Sequence, residues 1–81
     1  MSEHKIDARR LLCPMPVIRT QDKINTLQDG DLLNVSCTDP GAKSDIPTWC
    51  RIHGHEVIET ITEGREIVIT VRVHKSQPLA P

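Results

Sequence analysis

The strongest constraint on the fold is the alternation of side chains along residues 65–74. A period of two predicts a β-strand with one buried face. The residues expected to point inward are Ile67, Ile69, Val71 and Val73, and those expected to point outward are Val68, Thr70, Arg72 and His74. Residues 55–61 also favour a strand. A short turn at 62–64, which ends in a glycine, would join the two strands as a β-hairpin.

Two earlier segments also predict strands. Residues 31–38 alternate, which places Leu33, Val35 and Cys37 on one face and makes Cys37 a core residue. Residues 4–9 are shorter, with Ile6 and Ala8 on one face. These two strands are separated by a segment with helical spacing.

The first helix is predicted from Pro14 to about Leu27. Its apolar stripe contains Val17, Ile24 and Leu27, Ile18 widens the stripe, and Gly30 supplies the stop. A proline within the first helical turn loses no intrahelical hydrogen bond, and its fixed φ already suits a helix. Both Pro14 and Pro16 therefore indicate a helix start.

The second helix is predicted to begin near Asp45, because Pro47 should lie within a first turn. A loop is expected to start at Asp39, where Asp-Pro-Gly favours a turn. The apolar face of this helix would carry Ile46, Trp49, Cys50 and His53, and Gly54 would occupy the C-terminal cap position.

The resulting order, β-α-β-α-β-β, predicts an α/β fold: a two-layer α/β sandwich with a mixed four-stranded sheet and two helices on one face. We expect a single domain over residues 1–75 and a flexible C-terminal tail over 76–81. Strands joined through a helix should run parallel, so the residues that follow them, Cys13 and Asp39, should share one edge of the sheet. Ligands of open sheets bind at that edge.

Composition excludes several classes of function. The 81 residues carry a net charge of −1 and a single aromatic residue, Trp49, which argues against direct nucleic-acid binding through a basic surface or base stacking. No apolar run reaches the length of a membrane span, and the N-terminal residues lack the apolar stretch of a signal peptide. We therefore expect a cytoplasmic protein that is monomeric when free of partners.

The motif that suggests chemistry is Cys13-Pro14-Met15-Pro16. Because a residue before proline favours an extended backbone, Cys13 is predicted at the cap position of the first helix. The helix N-terminus there would favour a thiolate over a thiol. A buried, inert cysteine is the alternative interpretation. Three cysteines without a Cys-x-x-Cys pair argue against a disulfide framework, so a reactive Cys13 would act alone.

Cations surround this motif in the sequence: Arg9, Arg10, Arg19 and Lys23. These cations could lower the pKa of the Cys13 thiol and attract an acidic partner, and Met15 could add an apolar contact. The alternatives are that the cations are ordinary solvated side chains and that Met15 is buried in the core.

A zinc site at Cys50, His53 and His55 lacks a second ligand pair, and no phosphate-binding glycine loop is present. The position of Asp39 ahead of Pro40 and Gly41 favours a role in forming a turn over a role as a catalytic acid. We predict no cofactor and no metal.

The chain resembles the TusA (SirA-like) family of small sulfur-carrier proteins over about residues 5–74. The resemblance rests on Ile6-Asp7-Ala8, Cys13-Pro14-Met15-Pro16-Val17, Gly30-Asp31, Thr38-Asp39-Pro40 and Asp45-Ile46-Pro47 ahead of Trp49-Cys50. The family commonly has a glycine three residues before the cysteine, where this chain has Arg10. That departure bears on the loop conformation and on the choice of partner.

The resemblance implies that Cys13 accepts sulfane sulfur as a persulfide from a cysteine desulfurase or rhodanese-like donor and passes it to a downstream sulfur-acceptor protein. Pro14, Pro16, Asp39 and Pro40 would support this site, and Arg9, Arg10, Met15, Arg19 and Lys23 would form the docking surface. Family members serve thiolation of transfer RNA, molybdenum-cofactor biosynthesis, sulfur oxidation or selenium metabolism. The fold also resembles a translation-initiation-factor domain, so a small RNA-binding or regulatory module is the alternative.

Overall fold

The structure is a computed structural model that describes residues 2–12 and 14–75. Cys13 and the predicted tail at 76–81 lie outside the described residues. The elements follow the predicted order, and their bounds are β1 Glu3–Ala8, α1 Met15–Ile24, β2 Leu32–Cys37, α2 Pro40–Ile52, β3 Glu56–Glu63 and β4 Glu66–Arg72.

The four strands form one mixed sheet in the order β1-β2-β4-β3. β1 and β2 are parallel, while β4 is antiparallel to both β2 and β3. β2 and β3 therefore run in the same direction with β4 between them. The predicted parallel crossover and the C-terminal hairpin are both confirmed.

Both helices pack against the same face of the sheet, since they contact each other as well as the strands. The predicted inward residues of β2 and β4 are all buried in that layer: Leu33, Val35, Cys37, Ile67, Ile69 and Val71, together with Val73 just beyond β4. The core is completed by Ala8 from β1, Ile24 from α1, Leu27 after α1, and Ala42, Ile46 and Cys50 from α2. The α/β sandwich predicted from the sequence is confirmed, and its core is aliphatic.

Helix α1 is shorter than predicted, and its N-cap is Pro14 and not Cys13. The carbonyl of Pro14 accepts the backbone N–H of Ile18 at 3.1 Å, which marks the first helical hydrogen bond described. At the other end, Thr26 donates both its N–H and its hydroxyl to the carbonyl of Lys23, which closes the helix early. Leu27 is still buried, but from the turn that follows.

The apolar stripe of α1 also differs from the prediction. Ile18 remains 41% exposed and does not widen the buried face. Pro16 and Thr20 are buried there instead. Thr20 is tolerated in the core because its hydroxyl donates to the carbonyl of Pro16 at 2.8 Å, so no polar atom is left unpaired.

Helix α2 begins five residues earlier than predicted, at Pro40, so the expected loop from Asp39 and the expected start at Asp45 are both wrong. Asp39 is the N-cap and Pro40 occupies the first turn, a pairing that starts helices as readily as it makes turns. Pro47 lies inside the helix. The predicted face holds for Ile46 and Cys50, but His53 is the exposed C-cap.

The hairpin is tighter than predicted, because β3 extends to Glu63 and only Gly64 and Arg65 separate the two strands. Gly64 adopts a φ of 61°, the left-handed conformation that such a turn requires and that glycine takes without a steric penalty. A bulge between Val57 and Glu59 interrupts the pairing of β3 with β4. The turn lies at the same end of the sheet as the segments that follow β1 and β2.

Candidate functional site

The predicted nucleophile, Cys13, lies outside the described residues, so the site is built from its neighbours in the chain. Leu12 is 75% exposed, Pro14 is exposed and Met15 is 38% exposed. The backbone N–H of Met15 donates to the carbonyl of Leu12 at 2.9 Å. These flanking residues lie at the surface, at the start of α1.

The start of α1 carries no side-chain cap and no acidic residue in its first turn. Pro14 and Pro16, the two predicted supporting prolines, occupy the N-cap and the first turn, and Pro16 is buried. The positive end of this helix dipole therefore has no carboxylate of its own helix beside it.

Arg10 has an unusual backbone conformation for a non-glycine residue, with a φ of 69°. Its N–H donates to the hydroxyl oxygen of Thr38 at 2.9 Å, and this bond joins the loop after β1 to the segment after β2. A residue with a Cβ in the left-handed region costs about 1 kcal/mol or more. This strain explains why glycine suits the position, and the arginine here is held despite it.

Asp39 and Pro40 lie directly after Thr38. The Asp39 side chain accepts the N–H of Gly41 at 3.0 Å, and its carbonyl accepts the N–H of Ala42 at 3.0 Å. Pro40 is in the first turn of α2 and is exposed. Asp39 thus orders the start of α2, in the segment that Thr38 links to the Arg10 loop.

Arg9 is paired with Asp7 at the end of β1. Its guanidinium contacts both carboxylate oxygens, with Nε at 2.9 Å and Nη2 at 3.0 Å, and its backbone N–H also donates to Asp7. The side-chain hydrogen bond from Arg9 lowers the pKa of Asp7 from 3.8 to about 2. Because the Asp7 carboxylate neutralises much of its charge, Arg9 attracts an acidic partner less strongly than the sequence alone suggested.

The predicted cations fall into two groups. Arg9 and Arg10 line a cavity of about 530 Å³ with Thr38, Arg65 and three acids, Asp7, Glu63 and Glu66. Arg19 and Lys23 line a different cavity of about 510 Å³ beside β1 and α1. The roles proposed for these residues in docking stay predictions, but the structure does not gather the four cations into one cavity.

The two described cysteines, Cys37 and Cys50, are both fully buried. Burial is the main cause that raises the pKa of each thiol above 9.0, and the pKa of Cys50 reaches about 11. Both therefore stay neutral and unreactive near pH 7. Cys50 is not placed for the zinc site considered above, and within residues 2–12 and 14–75 no three ligand-type side chains are positioned to hold a metal.

Two contributors to this end of the molecule were not singled out from the sequence. Thr38 entered only as part of a motif, yet it receives the Arg10 N–H. Arg65 looked like a strand residue, but the hairpin turn brings it to the cavity of Arg9 and Arg10. No local pattern encodes such proximity, since it depends on β4 lying beside β2.

A family model described as sulfurtransferase TusA matches residues 4–73. The chain belongs to the TusA family. It is 43% identical over 63 residues to the putative sulfur carrier protein YrkI of Bacillus subtilis (strain 168), covering 78% of this chain and 84% of that protein. It is 39% identical over 67 residues to the sulfur carrier protein TusA of Pseudomonas aeruginosa, covering 83% and 85%.

The fold of this chain also resembles a solved structure. A crystal structure of a SirA-like protein from Desulfitobacterium hafniense superposes with a TM-score of 0.78, covering 89% of this chain and 99% of that one, at 22% identity. This likeness supports the fold alone. Neither helix among the described residues combines the length and hydropathy needed to cross a membrane.

Proposed function

We propose that the protein carries sulfane sulfur as a persulfide on Cys13, in keeping with the sulfur-carrier role of its family. The observation that supports the proposal is the helix start at Pro14, which has no side-chain cap and directly follows Cys13 in the sequence, and where Leu12, Pro14 and Met15 are exposed. The neutral, buried states of Cys37 and Cys50 argue against either as the carrier.

The transfer follows from thiolate chemistry. Ionised Cys13 attacks the outer sulfur of a donor persulfide, forming the new S–S bond as the donor's inner sulfur leaves as a thiolate. In the second half-reaction an acceptor thiolate attacks the terminal sulfur, and Cys13 leaves as a thiolate. The positive end of α1 would stabilise that thiolate in both steps.

The donor would be a cysteine desulfurase or a rhodanese-like protein, and the acceptor a downstream sulfur-accepting protein in the cytoplasm. A relay of this kind needs no cofactor or metal, because the carrier thiol supplies the chemistry. A single reactive cysteine suits it, since a second nearby thiol would displace the sulfur as sulfide and close a disulfide.

Mass spectrometry after incubation with a cysteine desulfurase and cysteine tests the proposal. We expect an increase of about 32 Da, the mass of one sulfur atom, that a reductant reverses. Cys13→Ser should abolish it, while the control Cys50→Ala should retain it because that thiol is buried. Sulfur that maps to Cys37 or Cys50, or that persists in Cys13→Ser, would overturn the assignment.

A further inference from the structure

A second cavity lies on the helix side of the same end of the sheet. It has a volume of about 430 Å³ and lies between the start of α2 and the β3–β4 turn. Its lining includes Thr38, Pro40, Lys43, Thr62, Arg65 and Ile67. This volume falls within the range of peptide- and ligand-sized pockets and exceeds what a lone carboxylate would fill.

The charged side chains that line this cavity are all positive. Lys43 and Arg65 are exposed cations, and no acidic residue lines the space with them. Among the ion pairs of residues 2–12 and 14–75, neither Lys43 nor Arg65 takes part. Arg65 also borders the neighbouring cavity at Arg9 and Arg10, which differs because three carboxylates line it.

The remaining lining combines hydroxyl donors with an apolar floor. The Thr38 oxygen already accepts the Arg10 N–H, which leaves its hydroxyl hydrogen to donate to a ligand. Thr62 adds a second, exposed hydroxyl. Ile67 is 5% exposed at the base, and the exposed ring of Pro40 contributes to the wall. The cavity therefore offers anion contacts beside an aliphatic surface.

We propose that this cavity binds a short acidic peptide segment of a partner protein. A carboxylate would lie between Lys43 and Arg65, where the arginine can donate two parallel hydrogen bonds, and a neighbouring aliphatic side chain would pack on Pro40 and Ile67. The binding does not depend on sulfur transfer, so this proposal and the persulfide proposal can fail separately. Thr38 lines both cavities, so a segment bound here contacts the residue that anchors the Arg10 loop.

Nuclear magnetic resonance titration of the full chain with acetyl-Leu-Glu-Leu-amide tests the proposal. We expect saturable shifts at the amides of Lys43, Gly64 and Ile67, and no saturable shift there with acetyl-Leu-Gln-Leu-amide. Loss of a charge-assisted contact in Lys43→Ala or Arg65→Ala should weaken binding at least about fivefold. The matched control is Arg51→Ala, which removes an exposed cation from the last turn of the same helix.

Several outcomes would overturn the proposal. They are the absence of saturable shifts, an equal response to the glutamine peptide, unchanged affinity in both cavity variants, and shifts centred on Arg19 and Lys23. A final competition experiment adds inorganic phosphate to the peptide complex. If phosphate displaces the peptide at equal concentration, the cavity is a general anion site and the peptide assignment is wrong. All three substituted residues are exposed, and amide spectra of the variants without ligand would verify that they fold.

Discussion

Helices α1 and α2 each follow a strand of the parallel pair and each have a proline in the first turn, but their N-caps differ. Asp39 caps α2 with its side chain, whereas Pro14 caps α1 with its backbone only. The carboxylate of Asp39 lies at the positive end of the α2 dipole. The corresponding end of α1 has no acidic residue in its first turn, and Cys13 precedes its N-cap in the chain.

The two helix starts differ in what they contribute at this edge of the sheet: that of α2 contributes to folding stability, and that of α1 to the reactivity of the proposed thiolate. The capped helix start fixes the backbone after β2 and supplies the anchor for the Arg10 loop through Thr38. The uncapped start leaves the helix dipole to act on the proposed thiolate. We expect substitutions at α2 to change folding stability and substitutions at α1 to change thiol reactivity.

The largest expected effect concerns Pro47, which lies inside α2 and cannot donate a hydrogen bond to the helix backbone. Pro47→Ala restores that donor, so we expect the free energy of unfolding to rise by up to about 3 kcal/mol in urea denaturation. Pro16→Ala is the matched control in the first turn of α1, where a restored N–H has no intrahelical acceptor and no gain should follow. Equal gains in both variants would contradict the comparison.

Removal of the α2 cap should have the next largest effect. Asp39→Ala is expected to lower the free energy of unfolding by about 1 kcal/mol, because the Gly41 N–H loses its side-chain acceptor. Asp39→Asn should retain most of the stability, since asparagine caps equally well. Pro14→Ala removes no side-chain cap, and a loss there as large as that of Asp39→Ala would break the contrast.

An effect of similar size but opposite sign is expected where the Arg10 loop meets the α2 segment. Arg10→Gly removes the Cβ from a residue with a φ of 69°, and the free energy of unfolding should rise by roughly 1 kcal/mol. The control is Arg9→Gly, because Arg9 has no positive φ and loses its pairing with Asp7. Thermal unfolding of both variants checks the prediction, and destabilisation by Arg10→Gly would count against strain at this position.

The smallest expected effect comes from giving α1 the cap that α2 has. Pro14→Asp places a carboxylate at the positive end of α1, where it would compete with the thiolate for the dipole. We expect alkylation of Cys13 at neutral pH to slow roughly two- to fivefold, the equivalent of about 0.3–1 kcal/mol. An unchanged alkylation rate, measured beside the control Asp22→Asn further along α1, would show that the dipole does not activate the thiol.

The strands and the core could be predicted because the alternation of apolar and polar side chains follows directly from the burial of one face of the sheet. The residues buried as the period of two requires are Val35 and Cys37 on β2, Ile67, Ile69 and Val71 on β4, and Val73 just beyond it. The helix starts were less predictable, since Asp39-Pro40-Gly41 is compatible with a turn and with a capped helix. Pro47 misled the prediction of α2 because packing retained a helix that local propensity would have interrupted.

The Cys-Pro-Met-Pro motif of the candidate site could be identified from the sequence, but the charged residues that lie together around it could not. Sequence order placed Arg9, Arg10, Arg19 and Lys23 together, but the first two follow β1 and the last two lie in α1, where they line different cavities. Arg65 joins from the hairpin turn, and Asp7 takes up the charge of Arg9. Such groupings follow from strand order and side-chain pairing, which no local spacing contains.

The position of β4 also has a consequence for the order of synthesis. β4 follows the other three described strands in the chain, yet it lies between β2 and β3 and joins them. Until residues 66–72 have left the ribosome, β3 has no partner in the sheet and the parallel pair of β1 and β2 has an open edge. Because these pairings connect distant parts of the chain, the nascent chain would expose its apolar strands until β4 emerges and would then complete the sheet in one step.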